Sequence, residues 1–249
     1  MKLFHWALTD VGLKRDHNED GFLVDGDLQL FVVADGMGGH AGGEQASRIA
    51  LEEVRETVAE ASPLTAVQGV RDEPAAVLLR LAARRASHEI YSLAKRNSSL
   101  DGMGTTLTGL LFSENRVCMG HVGDSRAYLF RDGRIEQISD DHSWINEQMK
   151  AGLLTEEEAK ESKFKHVITR SVGFERSVDV DILSMPVLMG DCFLLCSDGL
   201  SNYVEEGDLE VILATQYYSR VPKFLVDLAN DRGGDDNITV ILVYVGNDA

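Results

Sequence analysis

Four aspartates stand beside glycine where apolar runs begin or end. In FVVADG an apolar run leads into Asp35 and Gly36, in FLLCSDG another leads into Asp198 and Gly199, and the run 117–122 leads into Gly123 and Asp124. The motif GGDDN, which precedes the last apolar run, carries Asp236. Glycine allows sharp corners and close backbone approach, so such corners can aim carboxylate and carbonyl oxygens at one point. Oxygen ligands of this kind suit hard cations such as Mg²⁺ and Mn²⁺.

Two other interpretations of these residues remain open at this point. Each Asp-Gly pair could simply form a turn, which is its commonest use. The glycine-rich run 36–43 could cradle a nucleotide phosphate, although it lacks the lysine of a GxxxxGK[ST] loop. The four acids share a site only if the ends of their strands lie together, which spacing alone does not fix. The residues by themselves therefore lead to a candidate di-metal carboxylate site.

Short β-type runs recur along the chain and would have to position these acids. They cover residues 28–34, 107–112, 116–122, 126–130, 178–183, 192–196 and 238–245. The connections 113–115 and 131–133 are short and rich in turn residues, which favours antiparallel hairpins. Residues 61–73 are expected to form a surface connection, and 141–170 a polar segment with helical pieces over 144–151 and 155–161.

Two amphipathic stretches interrupt the strands. The first covers 43–60 and is expected to bury Ala46, Ile49, Ala50, Val54 and Val58. The second runs from about 74 to 96, and is expected to bury Val77, Leu78, Leu81, Ile90, Leu93 and Ala94. Strands with segregated helices indicate an α+β fold.

Composition limits the classes of protein that fit the chain. Its 249 residues are 44% hydrophobic, and 24 basic against 41 acidic residues give a net charge of −17. This charge repels phosphate backbones and anionic lipid, so nucleic acid and membrane are not expected partners. Three cysteines, Cys118, Cys192 and Cys196, lie in apolar runs and fit reduced, buried thiols. With no leader-like or membrane-spanning run, we expect a cytoplasmic protein.

Eight segments, in order along the chain, together resemble one protein family. They are TDVGLKRDHNEDGFLV, VVADGMGGHAGGEQAS, GMGTTLTGLLF, GHVGDSRAYLFRDG, DDHSWINEQMKAGLLTEEEA, ITRSVG, LLCSDGL and GGDDNITVILV. They are similar to the signature segments of the metal-dependent PP2C-type (PPM) protein serine/threonine phosphatases in their compact bacterial form. The resemblance implies a single domain over 1–249, built as a four-layer α-β-β-α sandwich of two antiparallel sheets flanked by helices. It also implies a flap subdomain at about 141–170.

The same resemblance assigns metal ligands. Asp35 resembles the ligand that bridges two core ions, and Gly36 would supply its backbone carbonyl. Asp198 and Asp236 resemble the other carboxylates of the first ion, and Glu19 the acid that reaches the second ion through water. Asp235, beside Asp236, is an extra acid in this chain. The ions implied are Mn²⁺ or Mg²⁺.

Other positions would support the substrate and the ligands. Asp124 resembles the ligand of a third, weaker ion, and Asp20 the hydrogen-bonding neighbour of Glu19. Arg15 resembles the phosphate clamp, since its planar fork can grip two phosphate oxygens. Asn237 follows the ligand acid and would orient it or a bound water.

The proton donor to the leaving alkoxide is less directly indicated. The resemblance favours His40, which heads an HAG segment like that of animal members, although Met37 directly follows Asp35-Gly36 here. The alternative is a packing or surface histidine, the usual role of a lone histidine. The other six histidines are interpreted as structural.

The activity that the resemblance implies is hydrolysis of phosphoserine and phosphothreonine in proteins. A metal-bridging water would attack phosphorus in line, without a phosphoenzyme. The expected partners are phosphoproteins, among them a Ser/Thr kinase and its substrates, and we expect a monomer. Two alternatives are a non-catalytic member that binds phosphoproteins, and a metal-dependent phosphodiesterase or small-molecule phosphatase.

Overall fold

The computed structural model describes residues 1–38, 41–61, 73–164 and 166–247 of the chain. Within these ranges the strands are β1 Lys2–Asp10, β2 Asp20–Asp25, β3 Leu30–Met37, β4 Gly104–Thr105, β5 Leu107–Ser113, β6 Arg116–Val122, β7 Arg126–Arg131, β8 Arg134–Gln137, β9 Asp181–Pro186, β10 Cys192–Cys196 and β11 Ile238–Gly246. The helices are α1 Ala41–Ala61, α2 Pro74–Arg96, α3 Trp144–Lys150, α4 Glu156–Glu161, α5 Asp198–Ser201, α6 Glu206–Thr215 and α7 Val221–Asp231.

The strands form two antiparallel sheets. The first has the order β1-β11-β10-β7-β8, and the second has the order β2-β3-β5-β6-β9, with β4 paired to β3. Asp20 lies opposite Asp35 in the β2–β3 register, so two of the predicted site acids are neighbours in the second sheet.

The two sheets pack face to face around an aromatic core. Phe112 contacts Phe31 and Phe193 edge to face, with ring centroids 5.8 and 5.4 Å apart. Such pairs contribute about 0.5–1.5 kcal/mol each beyond their burial. The other faces of β3, β10 and β11 pack against helices, so these strands are buried on both sides. That is why they appear in the sequence as nearly continuous apolar runs.

Helices cover the outer faces of both sheets. Helices α1 and α2 pack on the second sheet through a cluster that includes Ala50, Val54 and Leu79. Helices α6 and α7 pack on the first sheet through Leu209, Leu225 and others. The four-layer α-β-β-α arrangement expected from the sequence is therefore confirmed.

The buried face of α2 differs from the one expected. Val77 and Leu81 are 37% and 43% exposed, whereas Leu79 and the alanines around it are buried. The reason lies in β6, where Leu79 packs directly over Gly120, so close that a Cβ at Gly120 would meet Leu79 Cβ at 3.1 Å. Small residues on both elements allow this approach and rotate the larger side chains outward. Ile90 and Ala94 are buried as expected.

The strand expected over 178–183 was wrong in its bounds. Strand β9 begins at Asp181 and ends at Pro186, because its pairing with β6 runs from His121↔Asp181 to Arg116↔Pro186. Val178 is buried in the core beneath α2 without belonging to the strand. Strands β1, β2, β4 and β8 and helices α5, α6 and α7 were not predicted.

The polar segment 141–170 carries α3 and α4, close to the predicted helical pieces. Most of the predicted connection 61–73 falls outside the described residues. The three cysteines are buried and unbridged, as expected. None of the helices in the described ranges combines the length and apolar character needed to cross a bilayer.

Candidate active site

A cavity of about 920 Å³ opens at one end of the sandwich. The ends of β3, β6 and β10 and the start of β11 meet there, which brings the four predicted strand-end aspartates to one place. Seven acids line the cavity: Asp16, Glu19, Asp35, Asp124, Asp198, Asp235 and Asp236.

Asp35 is held through its backbone near the end of β3. Its N–H donates to Thr106 Oγ1 at 2.9 Å, and its carbonyl accepts from Thr106 N at 2.8 Å and Thr105 Oγ1 at 2.9 Å. The next residue, Gly36, packs against the first turn of α1, where an added Cβ would lie 2.2 Å from Gly43 O. Only glycine fits this approach, which explains the Asp-Gly pair.

Asp198 opens the short helix α5 directly after β10. Asn202 Nδ2 donates to Asp198 Oδ2 at 3.1 Å. Gly199 lies against the Asn237 carbonyl, where an added Cβ would come within 2.0 Å. This second Asp-Gly pair therefore lets the corner after β10 approach the start of β11, where Asp236 lies.

Arg15 and Asp236 meet at the cavity mouth. Arg15 Nη2 donates to Asp236 Oδ2 at 2.7 Å, while 49% of the arginine side chain remains exposed. The neighbouring Asp235 accepts from Tyr203 Oη.

Asn237 ties a distant loop to this end of the sandwich. Its Oδ1 accepts from Glu19 N at 2.8 Å, and its Nδ2 donates to the carbonyls of Val11 and His17, both at 2.9 Å. Only its backbone N–H contacts Asp236, donating to Oδ1 at 2.8 Å. The Asn237 amide thus holds the loop that carries Arg15, while its backbone N–H contacts the predicted ligand acid. Its expected role, to orient that acid or a bound water, stays a prediction.

Asp20 and Asp124 complete the acidic cluster. Ser197 Oγ donates to Asp20 Oδ2 at 2.6 Å, so Asp20 lies behind the cavity wall. Asp124 follows Gly123, whose φ of +110° and contact with Thr106 require glycine. Asp124 Oδ1 is buried and has no hydrogen-bond partner among the described residues.

Burial, together with mutual repulsion, raises the pKa of the acids in this cluster. Burial, then repulsion from Asp20, Asp198, Asp124 and Asp236, raises the pKa of Asp35 well above its usual range. Burial is also the main reason that the pKa rises to about 7 for Asp20 and about 8 for Asp124. Such a cluster favours cations, which offset the repulsion and supply partners for carboxylate oxygens.

The donor set fits hard divalent ions. It offers carboxylate and carbonyl oxygens and includes the buried oxygen of Asp124. Within the described ranges, no three His, Cys, Asp or Glu side chains are arranged to hold one ion by themselves. Carbonyl and water oxygens would therefore complete the coordination, as is usual for Mg²⁺.

One wall of the cavity comes from residues that sequence reasoning missed. It includes Ile168 and Arg170 of the ITRSVG motif, His166 just before the motif and Phe174 just after it. His166 was interpreted as structural, whereas it lines the cavity. Phe174 is 69% exposed there. His40, the predicted proton donor, lies outside the described residues.

Comparison with known proteins agrees with this fold. Residues 14–231 match the family described as Protein phosphatase 2C, and the chain belongs to that family. The family resemblance read from the eight motifs is thereby confirmed.

The individual relatives are bacterial serine/threonine phosphatases. The chain is 36% identical to the serine/threonine phosphatase stp of Listeria monocytogenes over 239 residues, which cover 94% of this chain and 93% of that protein. It is 37% identical over 243 residues to PstP of Mycobacterium tuberculosis, covering 96% of this chain and 44% of that longer protein.

Solved structures show the same fold. The Mycobacterium tuberculosis phosphatase PstP/Ppp superposes with a TM-score of 0.89 at 32% identity, covering 99% of this chain and 100% of that one. The catalytic domain of a PstP in complex with two manganese ions gives a TM-score of 0.86 at 33% identity, with 98% and 99% covered.

Proposed function

We propose that this chain is a Mn²⁺- or Mg²⁺-dependent protein serine/threonine phosphatase. The observation that carries the proposal is the cluster of mutually repelling carboxylates at the end of the sandwich, with a half-exposed arginine at its mouth. A cation site beside a phosphate-binding guanidinium matches a phosphomonoester substrate. The relatives named as serine/threonine phosphatases support protein substrates.

The acids are proposed to hold two core ions. Asp35 would contact both core ions, with the Gly36 carbonyl, and Asp198 and Asp236 would complete the first. Glu19 would reach the second through water. When bound, divalent ions lower the pKa of water and neutralise phosphoryl charge, so they supply both the nucleophile and part of the electrostatic stabilisation.

Asp124 is proposed to bind a third ion, because its buried Oδ1 points to a ligand role. Asp20 would help to position the ligand acids, since it lies opposite Asp35 in the sheet. Asp236 rather than Asp235 is proposed as the ligand, because Asp236 directly precedes Asn237, as the ligand acid does in the family motif.

Arg15 is proposed to bind the substrate phosphate. Its guanidinium lies at the mouth of the cavity, and its exposed half can donate two parallel hydrogen bonds to phosphate oxygens. These bonds orient the phosphoryl group over the acids and balance its charge. His40 is proposed as the proton donor to the leaving serine or threonine oxygen, on the strength of its HAG motif.

The surroundings of the cavity are proposed to select protein substrates. Met37, Ile168 and Phe174 give one wall an apolar surface suited to side chains flanking the phosphorylated residue. We further propose a single phosphatase domain over 1–249 with a flap at about 141–170, working as a cytoplasmic monomer. Its reaction would reverse that of a Ser/Thr kinase.

The direct test is phosphate release from a phosphothreonine peptide, in Mn²⁺ and again after EDTA, with Asp198→Asn alongside. We expect release that needs Mn²⁺ and is lost in the variant. Bis-p-nitrophenyl phosphate and a sugar phosphate, run in parallel, separate a protein phosphatase from a diesterase or small-molecule phosphatase. Peptide binding without release, by folded protein in Mn²⁺, would instead identify a phosphoprotein-binding member.

A further inference from the structure

His142 joins the base of the 141–170 segment to the turn that carries Asp124. The residue is 6% exposed. Its backbone N–H donates to Gly123 O at 2.8 Å, and its ring Nδ1 accepts from Gly123 N at 3.0 Å. Both polar groups of one glycine backbone are therefore satisfied by a single residue from the segment, 19 positions further along the chain.

These contacts fix the tautomer of the imidazole. Because Nδ1 accepts the Gly123 N–H, the neutral ring carries its proton on Nε2. That Nε2–H is directed at Asp181 Oδ2, 3.1 Å away. Arg170 Nη1 lies 3.0 Å from the same nitrogen and donates to Asp181 Oδ1 at 2.6 Å. Both donors thus converge on one carboxylate, and burial lowers the pKa of His142, which favours the neutral ring.

The backbone carbonyl of His142 binds the C-terminal part of the 141–170 segment. Its carbonyl accepts from Thr169 N at 2.9 Å. The neighbouring residues His166, Ile168 and Arg170 also line the cavity. His142 is consequently bonded both to the Asp124 turn and to the chain that carries these lining residues.

The Gly123–Asp124 turn is also linked to Asp35. Ser125 Oγ lies 2.7 Å from Thr106 Oγ1, and that hydroxyl accepts from the backbone N–H of Asp35 at 2.9 Å. Hydrogen bonds, together with the backbone of residues 123–125, therefore link the segment to the strand that carries Asp35. Among these linked residues, the proposed metal ligands are the two aspartates.

We propose that His142 is a positioning residue that fixes the Gly123–Asp124 turn, and with it the metal-binding position of Asp124, through the Gly123 N–H···Nδ1 bond. The proposal rests on the proposed function only in taking Asp124 as a metal ligand. Outer groups of this kind commonly change metal affinity by about 10- to 100-fold when removed. We expect a change near tenfold here, because His142 bonds to Gly123 and acts on Asp124 only through the backbone.

Two isosteric replacements separate the two ends of the imidazole. In His142→Asn the amide oxygen occupies the place of Nδ1 and can still accept from Gly123 N–H, but the link to Asp181 is lost. In His142→Gln the amide nitrogen can reach Asp181, but the acceptor near Gly123 is lost. Mn²⁺ binding to the full chain is measured by calorimetry and by the electron paramagnetic resonance signal of free Mn²⁺.

We expect the weakest class of Mn²⁺ sites to bind about tenfold less tightly in His142→Gln and His142→Ala, and near wild type in His142→Asn. His88→Asn serves as the control, because His88 Nδ1 also accepts an N–H, from Arg176 Nε at 3.2 Å, away from the cavity. If His142→Ala fails to fold, the Asn and Gln variants decide the question. Equal Mn²⁺ binding by these two would overturn the proposal.

A double-mutant cycle tests the route through Asp124. In an Asp124→Asn background, His142→Gln should cause no further loss of Mn²⁺ affinity, since the ligand it positions is gone. Additive losses would refute positioning through Asp124. Turnover of a phosphothreonine peptide by the unmodified protein is measured separately. Its absence would refute the proposed phosphatase function, whereas the binding isotherms alone decide the role of His142.

Discussion

Replacing Asp20 by asparagine should stabilise the metal-free protein, and more so at alkaline pH. Asp20 lies beside Asp35 in the sheet, and burial together with repulsion from Asp198 and Asp236 raises its pKa from 3.8 to about 7. Asparagine removes the charge, and its amide oxygen can still accept the hydrogen bond from Ser197 Oγ. The substitution therefore isolates the electrostatic contribution of one carboxylate.

The sign and size follow from proton linkage. Between about pH 4 and 7 the folded protein holds a proton on Asp20 that the unfolded chain has released, so the free energy of unfolding falls as pH rises through this window. A shift of about three pKa units corresponds to an upper bound of ~4 kcal/mol, of which ~2–3 kcal/mol develops between pH 5 and 8. Asp20→Asn should recover that amount. The melting-temperature difference between variant and wild type should therefore be about 5–8 °C larger at pH 8 than at pH 5.

Thermal unfolding in EDTA at pH 5 and 8 measures this difference. Asp27→Asn is the matched control, since Asp27 is an exposed acid in the turn of the same β2–β3 hairpin. In Mn²⁺ the advantage of Asp20→Asn should shrink, because bound cations offset the repulsion. An equal gain at both pH values in EDTA, or a gain matched by Asp27→Asn, would refute the electrostatic account of this cluster.

Two further predictions concern the substrate. Arg15→Ala should raise KM for phosphopeptides about tenfold or more and Arg15→Lys less, in steady-state kinetics with Mn²⁺, because lysine keeps the charge but loses the bidentate geometry. Unchanged kinetics in Arg15→Ala would mean that the arginine does not bind phosphate. Phe174→Ala should raise KM for a phosphothreonine peptide several-fold and leave p-nitrophenyl phosphate unaffected, since only the peptide reaches the apolar wall. Equal effects on both substrates would assign Phe174 to the structure of the site instead.

The sequence predicted best those elements whose pattern directly reflects their burial. Strands β3, β10 and β11 are buried on both faces, and their continuous apolar runs stand out from the rest of the chain. Strand β1 was missed because its half-buried residues mix with exposed Lys2 and His5, although it pairs with β11 along its full length. The buried face of α2 could not be predicted either, since it depends on Gly120 in a strand that follows later in the chain.

Prediction of the site from the sequence was limited in the same way. Its acids were predicted because Asp-Gly corners and the eight motifs are local features of the sequence. The contacts that hold those acids are not local. Asn237 was predicted to orient its neighbour Asp236 or a bound water. Its side-chain amide binds Val11 and His17, more than 200 positions away. The link from His142 to Gly123 also depends on which loops the fold brings together.

The bonds from Asn237 to the loop that carries Arg15 have a consequence for synthesis of the protein on the ribosome. The loop is made first, but its two carbonyls and the Glu19 N–H find their partner only when residue 237 has been added, and β1 finds its partner only when β11 has been added. Pairings between such distant positions form late in folding. Nascent chains that stop before β11 would therefore carry Asp35 and Arg15 without a working site, so translation itself delays dephosphorylation until the sandwich is closed.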